Sequence, residues 1–246
     1  MREDIRSGRA PALLFDLDGV LTPTSALHRR AWAAMFGPVL ERLGADEYTD
    51  ADYFEHVDGR PRLDGIRAVL AARGQALPDG GPGDEPGALT VYALGEQKND
   101  AFNRILEEEG IAAFPGSAKL LAELSQVPGV KMAVVSSSKN AAPILELAGI
   151  ADYFDVVVDG SVAAREGLPG KPSPATFLRA AELLGVAPDQ AVVFEDAVSG
   201  VKAGRDGGFG HVVGVDRGAG ADELLAAGAD VVVADLGELT AGAEGA

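Results

Sequence analysis

The sequence predicts an α/β protein: a doubly wound, parallel-sheet core interrupted by an all-helical insert. Three features predict it. Beyond Phe114-Pro115-Gly116, short Val-rich runs alternate with helical patterns, the texture of parallel strands covered on both faces. A single further apolar run, LLFDLD at 13–18, stands near the N-terminus, and only helical patterning separates it from the rest. Acidic residues, a hydroxyl and a lysine then fall just after or between these runs, where an open parallel sheet places its ligand site.

Leu13 to Asp18 reads as the first strand, short, apolar and bounded by Gly19. Trp32, Met35, Phe36, Val39, Leu40 and Leu43 then recur at the spacing of one helix face. Pro38 is expected to kink or divide that helix, because proline lacks the N–H that continues it. Leu63, Ile66, Val69 and Leu70 mark another helix, and Phe102, Ile105 and Leu106 a third. Between them LPDGGPGDEPG, at 77–87, reads as a Gly/Pro-rich loop and the segment expected to be least ordered.

Helical spacing then covers 118–124, 141–148, 174–184, 198–205 and 221–227, interleaved with strands at 130–135, 156–158, 191–194, 212–215 and 231–233. The core is therefore expected over 1–25 and 113–246, and a helical cap over 26–112. The insert would leave and rejoin the core at neighbouring points, which suits a hinged lid.

The chain has 246 residues, 47% of them hydrophobic, enough to bury a core and a smaller second unit. Its formal net charge of −17 argues against non-specific binding to nucleic acid or to anionic membranes, both of which need clustered Lys and Arg. It carries no cysteine, so thiolate metal sites, disulfides and cysteine nucleophiles are excluded. The N-terminal stretch lacks the apolar centre of a signal peptide, and no apolar run is long enough to span a bilayer. A cytoplasmic protein, a monomer or weak dimer acting on a small molecule, is the expectation.

Asp16 and Asp18 follow the first strand. Ser136, Ser137, Ser138, Lys139 and Asn140 follow the second, Lys171 lies in GLPGKPSP, and Glu195-Asp196 ends VVFED. Several carboxylates at one sheet edge repel one another, and a hard divalent cation relieves this. Mg²⁺ takes a few carboxylates, waters and a substrate phosphate, while Lys171 and Ser136 offer a positive charge and a donor for phosphate oxygens. If the segment stays extended, Asp16 and Asp18 share a side and lie about 6–7 Å apart. One could then attack phosphorus while the other moves a proton.

Each motif also has a plainer reading. Asp-Gly is a turn signal, Glu195-Asp196 could cap the following helix, and Ser136 and its neighbours could cap the helix from Ala141. Lys171 could be a solvated loop lysine. Their order along one chain favours a shared site.

That order resembles the haloacid dehalogenase superfamily, whose first motif DLDGVLT matches, with Ser136, Lys171 and Glu195-Asp196 falling at its later motifs. The resemblance implies a Rossmann-like core and an aspartyl-phosphate nucleophile at Asp16, with Asp18 as general acid/base. It implies Mg²⁺ held by Asp16, the Asp18 backbone carbonyl and Asp196 with help from Glu195, and a phosphate clamp of Ser136, Ser137 and Lys171.

HRRAW at 28–32, Lys98-Asn99-Asp100 and SSSKN at 136–140 further resemble the β-phosphoglucomutase subgroup. That resemblance implies that Arg62, Ser138, Lys139 and Asn140 hold a distal phosphate, with His28 and Lys98 gating Asp18. Asp58 and Pro23 depart from the subgroup's pattern. The implied activity is phosphoryl transfer on a sugar phosphate. A sugar-phosphate phosphatase, with water as acceptor, is the alternative, and a non-enzymatic phospho-accepting domain a more distant one.

Overall fold

A computed structural model describes residues 11–241. These divide into two compact units, one comprising the chain up to Pro23 together with Ile111 onward, the other Thr24–Gly110. No helix among the described residues is long and apolar enough to cross a membrane.

The first unit holds a six-stranded parallel sheet in the order β3-β2-β1-β4-β5-β6. The strands are β1 (Ala12–Phe15), β2 (Lys131–Val135), β3 (Val156–Val158), β4 (Ala191–Glu195), β5 (His211–Val215) and β6 (Val231–Val233). β1 lies between β2 and β4, and all four of its residues are buried. A strand covered on both faces cannot alternate polar and apolar residues, which is why ALLF is apolar throughout. On one face Leu14, Ala133 and Val193 pack with Phe177, Ala180, Ala181 and Leu184 of the helix Ala175–Leu184. Burying each large side chain contributes about 1.5–3 kcal/mol, so the sheet edge is a stiff mount.

The sequence places Asp16 and Asp18 on the first strand, but the ladder ends sooner. The Asp16 N–H still donates to Phe194 O at 2.9 Å, and the chain then turns. Leu21 N–H donates to Leu17 O at 3.0 Å, and Gly19 N–H to Thr22 O at 2.8 Å. Gly19 has φ +94°, a conformation that other residues rarely adopt, and it lets the chain reverse. Asp18 is therefore presented from a turn, and the extended-segment separation does not apply to it.

The second unit is helical, built on α1 (Thr24–Leu43), α2 (Arg62–Ala72) and α3 (Val91–Glu109). Trp32, Met35, Phe36, Val39 and Leu40 of α1 pack with Ile66, Val69 and Leu70 of α2 and Leu94 of α3. α1 runs unbroken through Pro38, so the proline does not divide it. Buried residues on both sides of Pro38 anchor the helix, which outweighs one missing backbone bond.

The Gly/Pro-rich loop has specific partners as well. Val91 N–H donates to Pro78 O at 2.9 Å, Asp79 pairs with Arg67 at 2.7 Å, and Asp84 accepts from Gly81 N–H and the Thr90 hydroxyl.

Candidate active site

The candidate site side chains of the sheet unit are delivered by the carboxyl ends of β1, β2 and β4. Asp16 follows β1, Ser136 follows β2, Glu195 ends β4 and Asp196 follows it. Lys171 comes from the loop between α4 (Gly160–Glu166) and α5 (Ala175–Leu184). α4 was not anticipated from the sequence. Asp159 caps it, accepting from Ser161 N–H at 2.9 Å and Val162 N–H at 2.8 Å, and Gly167 ends it in the left-handed region.

Lys171 is the hub of these contacts. Its Nζ lies 2.5 Å from Asp16 Oδ1 and 2.5 Å from Glu195 Oε1, and donates to Val135 O at 3.1 Å. Its ammonium also sits 5.0 Å from the centre of the Phe177 ring. Asp16 is 6% exposed, Lys171 2% and Glu195 1%, so little solvent screens them.

Burial is the largest influence on Asp16 and pushes its pKa well up; Glu195 and Asp18 add to this, while Lys171 opposes it. Burial pulls the Lys171 ammonium down, but Asp16 and Glu195 together outweigh it and hold the group protonated.

Ser136 holds Asp18. Its hydroxyl donates to Asp18 Oδ2 at 3.2 Å and accepts from Ser138 N–H at 3.0 Å. Asp16, Lys171 and Glu195 are thus joined by direct contacts, and Ser136 and Asp18 form a second contact whose charge acts on Asp16. Asp196 reaches the same turn from the other side: a Cβ on Gly19 would lie 1.8 Å from Asp196 Oδ2. Only a glycine after Asp18 leaves room for that carboxylate.

Glu195 has two partners of its own. One oxygen faces Lys171, the other accepts from Ala197 N–H at 3.0 Å, and a Cβ on Gly200 would lie 1.8 Å from Oε1. The physical reason is charge: a buried carboxylate takes the nearest cation and backbone donor. Glu195 is therefore tied to Lys171.

Three acids, Asp16, Glu195 and Asp196, are buried at the ends of these strands with one buried lysine, so negative charge is in excess. Among the described residues no three Asp, Glu or His side chains gather as a metal cluster on their own. Two carboxylates, Asp16 and Asp196, with the Asp18 backbone carbonyl and waters match what Mg²⁺ commonly takes.

Ser137, Ser138 and Asn140 are partly buried and Lys139 is exposed. Asn140 N–H donates to the Ser138 hydroxyl at 3.1 Å, so this run forms a tight turn ahead of the helix from Ala141.

In the helical unit, His28 and Lys98 come together: Lys98 Nζ is hydrogen-bonded to His28 Nδ1. The His28 ring stacks on Phe102 at 4.0 Å, and Lys98 lies 5.1 Å from the centre of the Trp32 ring. Arg62 is paired with Glu96 at 3.0 Å. Arg217 and Gly200 were not singled out by the motifs. The signals were faint: an arginine after a strand, and a glycine near acids.

The model of the haloacid dehalogenase-like hydrolase family matches residues 10–208. A β-phosphoglucomutase from Mycobacterium bovis is 48% identical over 239 residues, spanning 93% of this chain and 90% of its own. The structure of β-phosphoglucomutase from Clostridium difficile aligns over 93% of this chain and 92% of its own, with a TM-score of 0.73 and 28% identity. CbbY from Rhodobacter sphaeroides, solved with xylulose-1,5-bisphosphate, aligns over 94% of this chain and 97% of its own, with a TM-score of 0.71 and 27% identity. The chain belongs to the haloacid dehalogenase-like hydrolase family, and it is an enzyme similar to the β-phosphoglucomutases.

Proposed function

We propose that this enzyme transfers a phosphoryl group on a small phosphosugar, with Mg²⁺, by way of an aspartyl phosphate on Asp16, in the manner of a β-phosphoglucomutase. The observation that carries this reading is the buried Asp16–Lys171–Glu195 contact at the sheet edge, with Asp18, bonded to the Ser136 hydroxyl, close enough for its charge to act on Asp16.

Asp16 attacks phosphorus through a carboxylate oxygen, and the phosphate ester bond breaks. Asp18 gives a proton to the departing sugar oxygen. In the second half the acceptor hydroxyl loses its proton to Asp18 as its oxygen attacks phosphorus, which frees Asp16. General acid–base help of this kind is typically worth about 10²–10⁴ in rate.

Lys171 fixes the attacking carboxylate and offsets charge on the phosphoryl oxygens, aided by the Ser136 hydroxyl and by Ser137. Asp16, Asp196 and the Asp18 carbonyl are the groups that would hold Mg²⁺, which when bound supplies charge neutralisation. Glu195 orients Lys171.

The distal phosphate is assigned to Arg62, Ser138, Lys139 and Asn140, and the gating of Asp18 to His28 and Lys98, on the resemblance. The Thr24–Gly110 unit is read as the lid on the same ground. The 48% identical relative is a β-phosphoglucomutase, which favours isomerisation over hydrolysis.

The test is to supply β-glucose 1-phosphate with a trace of β-glucose 1,6-bisphosphate and Mg²⁺. Glucose 6-phosphate should form without matching release of inorganic phosphate. Release of phosphate with no isomer would replace this reading with a sugar-phosphate phosphatase.

A further inference from the structure

Arg217 lies outside the motifs that carry the chemistry, yet its side chain touches the turn that bears Asp18. Nε donates to Gly19 O at 2.9 Å. Nη1 donates to Ala234 O at 2.9 Å, and Nη2 to Asp235 Oδ2 at 3.1 Å. The guanidinium carbon lies 3.9 Å from the centre of the Phe114 ring. One planar, always-charged group thus grips three backbone or carboxylate acceptors and an aromatic face, which a lysine cannot do with a single ammonium.

The two segments it holds are those that lead to and from Thr24–Gly110. Gly19 stands on the outgoing segment. Phe114 stands on the returning one, and its N–H donates to Leu21 O at 2.9 Å. Gly19 is constrained on every side: its N–H by Thr22 O at 2.8 Å, its carbonyl by Arg217, and its Cα by the Asp196 carboxylate.

Asp18 immediately precedes this glycine. A shift of the Gly19 peptide rotates the backbone that carries both the Asp18 side chain and the Asp18 carbonyl. Asp16, by contrast, is held independently by its strand bond to Phe194 O at 2.9 Å and by Lys171 at 2.5 Å.

We infer that Arg217 is a positioning residue: it locks the Gly19 peptide and so holds Asp18 in place to move protons, leaving the nucleophile Asp16 to other supports. This rests on the proposed phosphoryl-transfer reading. It predicts that losing Arg217 separates the two halves of the reaction. Acetyl phosphate has a weakly basic leaving group, so phosphorylating Asp16 from it needs no proton from Asp18. Discharging the phosphoenzyme to water or to a sugar hydroxyl does.

The experiment loads wild type and Arg217→Ala with labelled acetyl phosphate and Mg²⁺. It then follows loading and discharge separately by acid quench. At saturating Mg²⁺, which offsets a weaker grip by the Asp18 carbonyl, loading should proceed at the wild-type rate while discharge falls about 10–10²-fold, the scale of a misplaced catalytic group. Added guanidinium ion should restore part of the discharge rate. Should Arg217→Ala lose the native circular dichroism, Arg217→Lys carries the same test, with the same split expected because it keeps charge but not the three-way grip.

Discharge at the wild-type rate overturns the inference. So does an equal fall in loading and discharge that guanidinium does not reverse, because that is general loosening of the fold. If the wild type itself forms no phosphoenzyme, the underlying phosphoryl-transfer reading fails first and the inference goes with it.

Discussion

Removing the Lys171 ammonium leaves Asp16 and Glu195 buried with no cation between them. Breaking a buried pair from one side typically costs about 3–5 kcal/mol. Lys171→Met should therefore lower stability by about 3 kcal/mol at neutral pH, read from urea unfolding, and lower kcat by about 10²–10³-fold. The stability loss should shrink on acidification. Burial already raises the Asp16 pKa and Lys171 opposes that rise, so without the lysine Asp16 holds its proton more tightly folded than unfolded; protonation then favours the folded state, and the benefit is lost as pH rises. A variant equally destabilised from pH 5 to pH 8 would contradict this charge account.

Gly19→Ala tests the other side of the site. It places a Cβ against Asp196 Oδ2 and forces φ +94° on a residue with a side chain. The strain is about 1–2 kcal/mol, and half-saturation of activity should move to higher Mg²⁺ because Asp196 must retreat. An unchanged urea midpoint and Mg²⁺ dependence would show that Asp196 is not confined there. Asp16, Lys171 and Asp196 were legible in the sequence because their types and order are unusual. The partnership of Glu195 with Lys171 was not, because it is made by a loop folding back across the sheet edge.

At the scale of elements, the helical unit carries its own polar staple. Thr49 caps the short helix Asp50–Asp52 in a reciprocal box with Asp52. Arg73, at the end of α2, reaches the same carboxylate, with Nη1 and Nη2 each 2.8 Å from an Asp52 oxygen. Arg73 also donates to Asp46 O at 2.8 Å and Glu47 O at 2.7 Å.

The Arg73 bond is the largest influence on Asp52 and lowers its pKa to about 2; burial opposes it, and the Thr49 bonds assist. The folded-state pKa is depressed, so this stabilisation is present above the unfolded carboxylate pKa. It disappears as pH falls from about 4 toward 2, and is worth on the order of 2 kcal/mol. In urea unfolding, wild type should lose stability over that window more steeply than Asp52→Asn. Parallel pH profiles would remove Asp52 from the acid response.

The long elements were readable from their periodicity, because Trp32, Met35, Phe36, Val39 and Leu40 share one buried face. Pro38 misled because a tertiary anchor on each side overrides a local preference. The 77–87 loop misled because composition does not reveal the Asp84 and Asp79 bonds that tie it down.

At the scale of the whole molecule, the strand order 3-2-1-4-5-6 puts β1 at the centre, flanked by β2 and β4. Those three strands supply Asp16, Ser136 and Glu195-Asp196 at one edge. The alternation of Val-rich runs with helices made this architecture legible. The strand that opens the chain still had to be placed among distant ones, and pairing across so long a separation has no local signal. The central claim is that this arrangement makes Asp16 the phosphoryl acceptor. The measurement is mass mapping of enzyme quenched in acid during turnover of β-glucose 1,6-bisphosphate with Mg²⁺. The account predicts one phosphoryl group on the peptide containing Asp16, absent in Asp16→Asn, whose turnover is abolished. A phosphoryl group on another residue, or full turnover by Asp16→Asn, would contradict it.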